Sequence, residues 1–519
     1  MDAESDPVDL FLLADEARRI LTSESPDGRG RVAVSIAEGL SLAYLRGDIR
    51  GLAAMIQVVT HLFEDSGRFD SALQELGVLS ANLTDASGPR ALILGLQANL
   101  YALLGRKQEA VVAIASALDC LISPDEEWLG AKVQSLVAGA QLQTLSVGDE
   151  AHMSLTIEAL GGRESAREWL YAQSWYIPWL AARGDWSAVR ARLRSFEARA
   201  MAEEHVWRLE DAKVVFDAVA DTTGGSSERL DGVVWVNPLA HWRHACLDLR
   251  FHVLRRDDSS IERSLARLEG TEARMRDNYV GDRKAFRTAA RAFQGASLDE
   301  EPRHYAPPHT LLFALAASFA TAEAVAVAGN RSMAEYWRRW CGSRSREGFH
   351  SCLEWPALLP RLEALLMIRC GNWRLGVRRS REAIVLAAQQ GLKIEGALAV
   401  VVRDTVLAHL QPALLRADWR ESNDAARSIL EARGIDGRMP ELWALDALEV
   451  GRTHPIAVLS PREAEVLSHL SDGSTYREIA AAMNLKVGSV HTLAHRLYEK
   501  LDASGRAEAV ATGKRLGLV

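Results

Sequence analysis

Apolar residues recur every three or four positions along almost all of the 519-residue chain, and short turns at Gly or Asp cut this pattern into pieces of helix length. The one β-flavoured run, Val233-Val234-Trp235-Val236, lies in a Gly- and Ser-rich stretch from Thr222 to Pro238. A period near 3.6 with almost no alternation predicts an all-α protein. The turns also repeat. Gly105-Arg106-Lys107-Gln108-Glu109-Ala110 places Gly at a helix end and a small residue five positions on, inside the next helix. The same form starts at Gly67 and Gly329, looser copies start at Gly47, Gly148, Gly184 and Gly371, and Ala417-Asp418-Trp419 is a degenerate one. Gly supplies a left-handed helix end, and the small residue lets two antiparallel helices approach closely. The expected architecture is an array of helical hairpins, with worn turns between Gly184 and Gly329.

Within residues 91–124, Tyr101, Gly105, Ala110 and Ala117 stand at the spacing of the tetratricopeptide repeat, with Pro124 just past the second helix. The segment resembles that family, although its signature Trp and paired Leu-Gly are missing. Most units run nearer 40 residues than the 34 of the family. The array is therefore read as a tetratricopeptide-like α-superhelix. The alternative is an irregular helical domain whose turns favour Gly. Two stretches are expected to be loops: 222–238, and Gly295 to Pro308 with its three prolines, which do not fit a helix interior. A third break is expected at Gly451-Arg452-Thr453-His454-Pro455.

Several function classes drop out on sequence. Net charge is −8, which argues against nucleic-acid binding over the whole surface. The only Gly-Lys pair, Gly513-Lys514, sits near the C-terminus and is not part of a phosphate-cradling loop. Five scattered Cys without a C-x-x-C pair read as reduced thiols, and Cys341 with Cys352 is set aside as a redox pair. The acidic start lacks a basic signal-peptide region, and the apolar run Leu311 to Gly329 contains Glu323, so it is read as a buried helix. A soluble, cytoplasmic protein without cofactor or membrane contact is expected. His241, His244 and Cys246 share one helical stretch but lack a third ligand in clear geometry, so no metal is assigned. No hydrolase elbow or HExxH motif occurs, and no enzymatic activity is expected. Trp169, Tyr171, Trp175, Tyr176 and Trp179 crowd one stretch and are read as repeat core before ligand groove. Trp186, Trp373 and Trp419, each two residues after a turn position, are read as packing residues.

From Leu459 the pattern changes. Ser460 stands as an N-cap before Pro461, with acids in the first turn, and Asp472-Gly473 ends that helix. A short second helix runs from Tyr476 to Met483 with Ile479, Ala480 and Met483 inward. Asn484-Leu485-Lys486 is a tight turn, a third helix spans Val487 to Leu501, and a fourth spans Arg506 to Leu516. A short helix, a three-residue turn and a longer helix is the helix-turn-helix plan, whose longer helix enters the DNA major groove.

Leu459, Ser460, Pro461, Arg462, Glu463, Val466, Leu467, Gly473, Glu478, Ile479, Ala480, Val490, Leu497, Lys500, Leu501, Arg506 and Ala509, all in register, closely resemble the C-terminal DNA-binding domain of the LuxR family of bacterial transcription regulators. The resemblance covers 459–516, about a ninth of the chain. In the third helix Val490, Ala494, Leu497 and Leu501 form the inward stripe. His491, Thr492 and His495 on the opposite face are the candidates for reading base edges. Ser489, Lys486, Arg496 and Arg477 are better placed for phosphates. The family usually has Lys where His491 stands, His where Leu493 stands and Asn where Arg496 stands. Losing a fixed cation to His predicts weaker and pH-sensitive binding. Residues 459–519 carry eight basic and seven acidic side chains, net +1, so affinity is expected to depend on a dimer over two half-sites.

The layout resembles the large MalT-like regulators without their nucleotide-binding domain. Residues 8–448 are assigned to a helical sensor or interaction domain, 449–458 to a linker and 459–519 to the helix-turn-helix. The resemblance implies a DNA-binding regulator whose helical array senses a small-molecule or peptide inducer or a protein partner, with RNA polymerase or another protein as a further partner. The alternative is a scaffold or anti-regulator whose degenerate helix-turn-helix serves only for docking.

Overall fold

A computed structural model describes most of residues 69–519. The stretches outside it are 83–86, 121–126, most of 145–165, 203–205, 224–237, 275–282, most of 297–313, 454–458 and 516–518, with single positions 416 and 502. Before Phe69 only Gly39, Gly51, Leu52 and Ile56 are described. The turns expected at Gly47, Gly67 and Gly148, the run Val233–Val236 and the prolines of 302–308 lie outside the described residues.

The described residues are helical, with no strand. The first helices are α1 (Phe69–Asn82), α2 (Ser87–Leu103), α3 (Lys107–Leu118), α4 (Glu127–Gln143), α5 (Ala166–Ala182), α6 (Trp186–Ala202) and α7 (Val206–Thr223). The middle of the array holds α8 (Pro238–Arg255), α9 (Asp258–Arg274), α10 (Arg283–Phe293), α11 (Ala314–Ala328), α12 (Arg331–Arg346) and α13 (Leu359–Arg369). Then come α14 (Trp373–Gln390), α15 (Lys393–Leu410), α16 (Trp419–Glu431) and α17 (Met439–Thr453). The last four are α18 (Pro461–Ser471), α19 (Tyr476–Ala482), α20 (Val487–Leu501) and α21 (Arg506–Arg515).

From α1 to α16 each described helix packs against the next, as helical hairpins do, while α17 packs against α13 and α15. Gly105, Gly184 and Gly371 take positive φ, as their turn positions require. Gly329 does not: α12 starts there through an ordinary cap, Asn330 Oδ1 accepting from Met333 N at 3.0 Å. Between α8 and α9, inside the worn stretch, Arg256 itself takes the left-handed conformation. Trp186, Trp373 and Trp419 each open a helix; Trp186 is fully buried and the other two are half-buried. Trp169, Trp175, Tyr176 and Trp179 are core residues. Arg199 lies over Trp169, Arg192 over Tyr176 and Arg183 over Trp179.

Two boundaries differ from the sequence reading. Thr222 and Thr223 belong to the last turn of α7, where their hydroxyls donate to carbonyls one turn back, and Pro238 opens α8, so the stretch 222–238 expected as a loop overlaps helix at both ends. Gly451 to Thr453 lie in the last turn of α17. Gly451 is a close-approach residue: a Cβ there would meet Ile368 O at 2.7 Å and Gly371 Cα at 3.1 Å. The end of α17 therefore rests on the turn between α13 and α14.

The array also curls back on itself. Arg183 donates to Glu347 O at 2.8 Å, Arg190 to Gln390 O at 2.8 Å and Arg433 to Ala220 O at 2.7 Å. Its centre is a buried ring of charge, with Arg250 from α8, Glu323 from α11, Arg361 from α13 and Glu395 from α15. Arg250 donates to Glu323 at 3.2 Å and to Glu395 at 2.5 Å, and Arg361 donates to Glu395 at 2.7 Å and also to Glu323. Trp355 Nε1 and Leu358 N complete the carboxylates, each at 2.7 Å. Burial works to raise the Glu323 carboxyl, but Arg250 and Arg361 outweigh it and hold it below the ordinary carboxylate range. Glu323 thus explains why the apolar run of α11 contains an acid.

Beside this ring, α7 and α8 carry a second polar group. His244 Nε2 pairs with Asp217 at 2.7 Å and its Nδ1 lies 3.3 Å from Asp248, while Arg267 also binds Asp248. Among the described residues no group of three or more His, Cys, Asp or Glu is arranged to hold a metal. Burial, reinforced by Asp217 and Asp248, pushes Asp221 up to about 7. Its unfolded carboxyl titrates near 4, so the fold binds an extra proton between those values and stability falls as pH rises from about 4 to 7. Asp221→Asn is expected to raise Tm by about 2–4 °C at pH 8 and to leave it unchanged near pH 4, read by thermal denaturation. An equal shift at both pH values would count against the charged carboxylate as the cause.

Residues from Leu52 to Leu448 share one apolar core and Leu459 to Ala509 form a separate one. Among the described residues no helix is long and apolar enough to cross a membrane.

Candidate nucleic-acid interface

The second core is small, and polar contacts at its helix starts fix its geometry. Ser460 and Glu463 form a capping box at α18: Ser460 N donates to Glu463 Oε2 at 2.7 Å and Glu463 N to Ser460 Oγ at 3.3 Å. Glu463 also receives Lys500 Nζ at 2.5 Å, which ties α18 to the far end of α20. Partial burial works to raise its carboxyl, but Lys500 and Ser460 outweigh that and lower it. Ser460→Ala is expected to cost about 0.5–2 kcal/mol in this unit, read as a lower melting midpoint of its own transition.

A second capping box opens α19, with Thr475 and Glu478 bonded at 2.7 and 3.4 Å. The sequence reading passed over it, although Thr-x-x-Glu before an apolar pair is a legible signal. The chain then turns through Asn484 at φ 52°, a residue that tolerates the left-handed region, and Leu485 N donates back to Ala480 O at 2.8 Å. That turn sets the start of α20. Val490, Ala494, Leu497 and Leu501 are buried against Val466, Leu467, Leu470 and Ile479.

The opposite face of α20 is open. Lys486, Ser489, His491, Thr492, His495 and Arg496 are all exposed, and they stand together on α20 and the turn before it. Arg477 is exposed too and lies on α19, next to Tyr476. Leu493, where the LuxR pattern usually has His, is half-buried against the core. Thr492 Oγ1 donates to Gly488 O at 3.0 Å, so its hydroxyl hydrogen is used within the helix and its methyl and lone pairs remain. His495 Nδ1 lies 3.6 Å from Glu499 Oε1, with its side chain 77% exposed. His491 is held differently: its ring meets Tyr476 at 4.4 Å between centroids and 64° between planes. The Tyr476 hydroxyl pairs with that of Tyr498 at 2.7 Å, and burial with this contact raises the Tyr498 phenol. Sequence reasoning missed this trio. Tyr498 is seven residues beyond His491 on the same helical face, but nothing in the spacing brings Tyr476 to them.

Residues 457–512 match the luxR family of bacterial regulatory proteins. The C-terminal unit is a luxR-family domain. Two relatives carry the same likeness. The probable transcriptional regulatory protein NarL of Mycobacterium tuberculosis is 39% identical over 99 residues, 18% of this chain and 46% of that protein. The transcriptional regulatory protein DesR of Bacillus subtilis is 37% identical over 59 residues, 11% of this chain and 30% of that protein. The chain thus covers less than half the length of either relative. The likeness to the luxR family and the helical character of both units agree with the fold expected from the sequence.

Proposed function

We propose that this protein is a DNA-binding transcription regulator, in which α20 enters the major groove and the large helical body senses a ligand or a partner protein. The observation that carries the reading is the open face of α20: five polar or basic side chains on a luxR-family helix whose other face is buried, with Lys486 in the turn before it, all exposed. His491 and His495 offer ring nitrogens to base edges, and Thr492 offers its methyl to thymine, since its hydroxyl hydrogen is already used. Lys486, Ser489, Arg496 and Arg477 are assigned to phosphates, where they set register without reading sequence. A net charge of +1 on this unit supports a homodimer over two half-sites. The helical body has its own core and no share in that of α18 to α21, which supports a separate role in sensing an inducer or docking a protein such as RNA polymerase. A cytoplasmic location goes with this function.

The test is selection of the full-length protein on randomised duplex DNA at two salt concentrations. Enrichment of a motif with two-fold symmetry, weakening steeply with salt, is the expected result. If neither the full-length chain nor residues 456–519 enriches any motif, the scaffold reading takes its place. The fragment is a fair probe because its core is its own.

A further inference from the structure

The domain with the DNA-binding plan is nearly neutral, while the strongest positive charge in the chain lies elsewhere. Residues 331–390, spanning α12 to α14, carry eleven Arg against five Glu, net +6 in a chain of net −8. Much of this charge is internal. Arg361 belongs to the buried ring, Arg369 is buried against carbonyls and Asp446, and Arg379 is held by Glu363 and Glu382. Four arginines are not so held. Arg339, Arg346, Arg378 and Arg381 are exposed, and none makes an ion pair among the described residues.

These positions adjoin one another. Arg379 donates to Ser345 Oγ at 3.1 Å, so the end of α12, with Arg346, lies within an arginine side chain's reach of the middle of α14, with Arg378 and Arg381. They also adjoin the tether of the DNA-binding unit. The last turn of α17 rests on Gly371, just before α14 begins, and five residues then lead to Leu459, a reach of at most about 20 Å. Arg374, in the first turn of α14, lies 3.6 Å from Glu508 of α21. Arg378 and Arg381 follow about 6 and 10 Å further along the same helix.

We propose that this arginine face of α12 and α14 is a second DNA contact surface, which binds the phosphate backbone flanking the site read by α20. It rests on the DNA-binding reading above. A duplex offers a phosphate about every 3.4 Å along each strand, so a groove-bound α20 brings flanking phosphates within the reach of a tether this short. Unpaired guanidiniums suit such a backbone because their forked donors match phosphate oxygens. The contact carries no sequence information; it adds affinity and salt dependence, which the near-neutral helix-turn-helix supplies poorly.

The test uses the full-length chain with Arg346→Glu, Arg378→Glu and Arg381→Glu combined, and fluorescence anisotropy on the selected motif in a short duplex of about two helical turns and in one about three times longer. The natural chain is expected to bind the longer duplex about tenfold tighter. The variant is expected to bind both equally, with the slope of log affinity against log salt shallower by about 2–3 and the preferred motif unchanged. The Arg→Gln triple variant should give an intermediate result, and matching melting curves would show that all variants are folded. An undiminished length effect with an unchanged salt slope in the variant overturns the proposal and leaves an acidic protein as the partner of this face. Failure of the DNA-binding reading is distinct, because the natural chain would then show no motif preference on the short duplex.

Discussion

Glu395→Ala is expected to lower the melting temperature of the helical body by on the order of 10 °C, or to leave it insoluble, while the C-terminal unit keeps its own transition. Glu395 is fully buried and accepts from Arg250, Arg361 and the backbone N–H of Leu358. Its removal leaves two guanidiniums facing one carboxylate in a space closed to water and strands the Leu358 N–H. Breaking a buried ion pair from one side costs about 3–5 kcal/mol, against total domain stabilities of about 5–15 kcal/mol. The four residues come from α8, α11, α13 and α15, so the loss is felt across the middle of the array. The depressed Glu323 carboxyl gives the ring a pH signature. Its contribution is complete at neutral pH and is lost only in acid, as pH falls below the ordinary carboxylate range toward about 2. A ring of two cations and two anions is neutral, so replacing all four by Met and Leu should recover most of the stability. Far-UV circular dichroism during heating decides the matter. A Glu395→Ala chain that melts within a degree or two of the natural one would mean that water or repacking compensates the lost charge.

This ring also marks the limit of what the sequence discloses. The helical period is local, and it is visible in most helices, though not in α11, which is buried on all sides. The left-handed turns at Gly105, Gly184 and Gly371 are visible because only a residue without Cβ sits there at no steric cost. Where the chain accepts strain instead, the signal vanishes: Arg256 occupies the same conformation at a cost of about 1–3 kcal/mol, and the unit it closes reads as a worn gap. Gly391 is the converse, a left-handed Gly followed five residues on by Gly396, which the search for turns passed over. Gly451 misled for a different reason. A Gly near a Pro looks like a break, yet here it is needed because α17 approaches the backbone of Ile368 and Gly371 too closely for a side chain. The partners of Glu323 and Glu395 lie 32 to 145 residues away, and no periodicity pairs them.

At the candidate site the balance is better, because a helix-turn-helix is built from neighbours. Its capping boxes, its Asn turn and its buried stripe all lie within sixty residues, and the exposed positions follow from the helical wheel. What the wheel hides is how each exposed side chain is held. Thr492 is bonded within its own helix, His495 leans toward Glu499, and His491 rests on a ring from another helix.

These differences shape the second large prediction. Replacing His491 and His495 together by Glu is expected to weaken binding to the selected duplex by at least a hundredfold, with the fold intact. Each base-edge contact of this kind is worth about 1–3 kcal/mol of discrimination, so losing two removes about 2–6 kcal/mol, before repulsion between the new carboxylates and the phosphates is added. Both positions are exposed, and neither contributes to the buried stripe, so the melting of the unit should change little. His491→Gln with His495→Gln separates the two effects: it keeps hydrogen-bonding groups without adding charge, and should fall between the natural chain and the Glu variant. The contact to Tyr476 divides the two positions further. His491 is already oriented by a ring, whereas His495 is free to swing toward Glu499, so substitution at 491 alone should cost more specificity than substitution at 495 alone. Anisotropy titrations on matched and mutated motifs measure both quantities. A Glu variant that binds as tightly as the natural chain would remove α20 from the groove and turn the open face toward a protein.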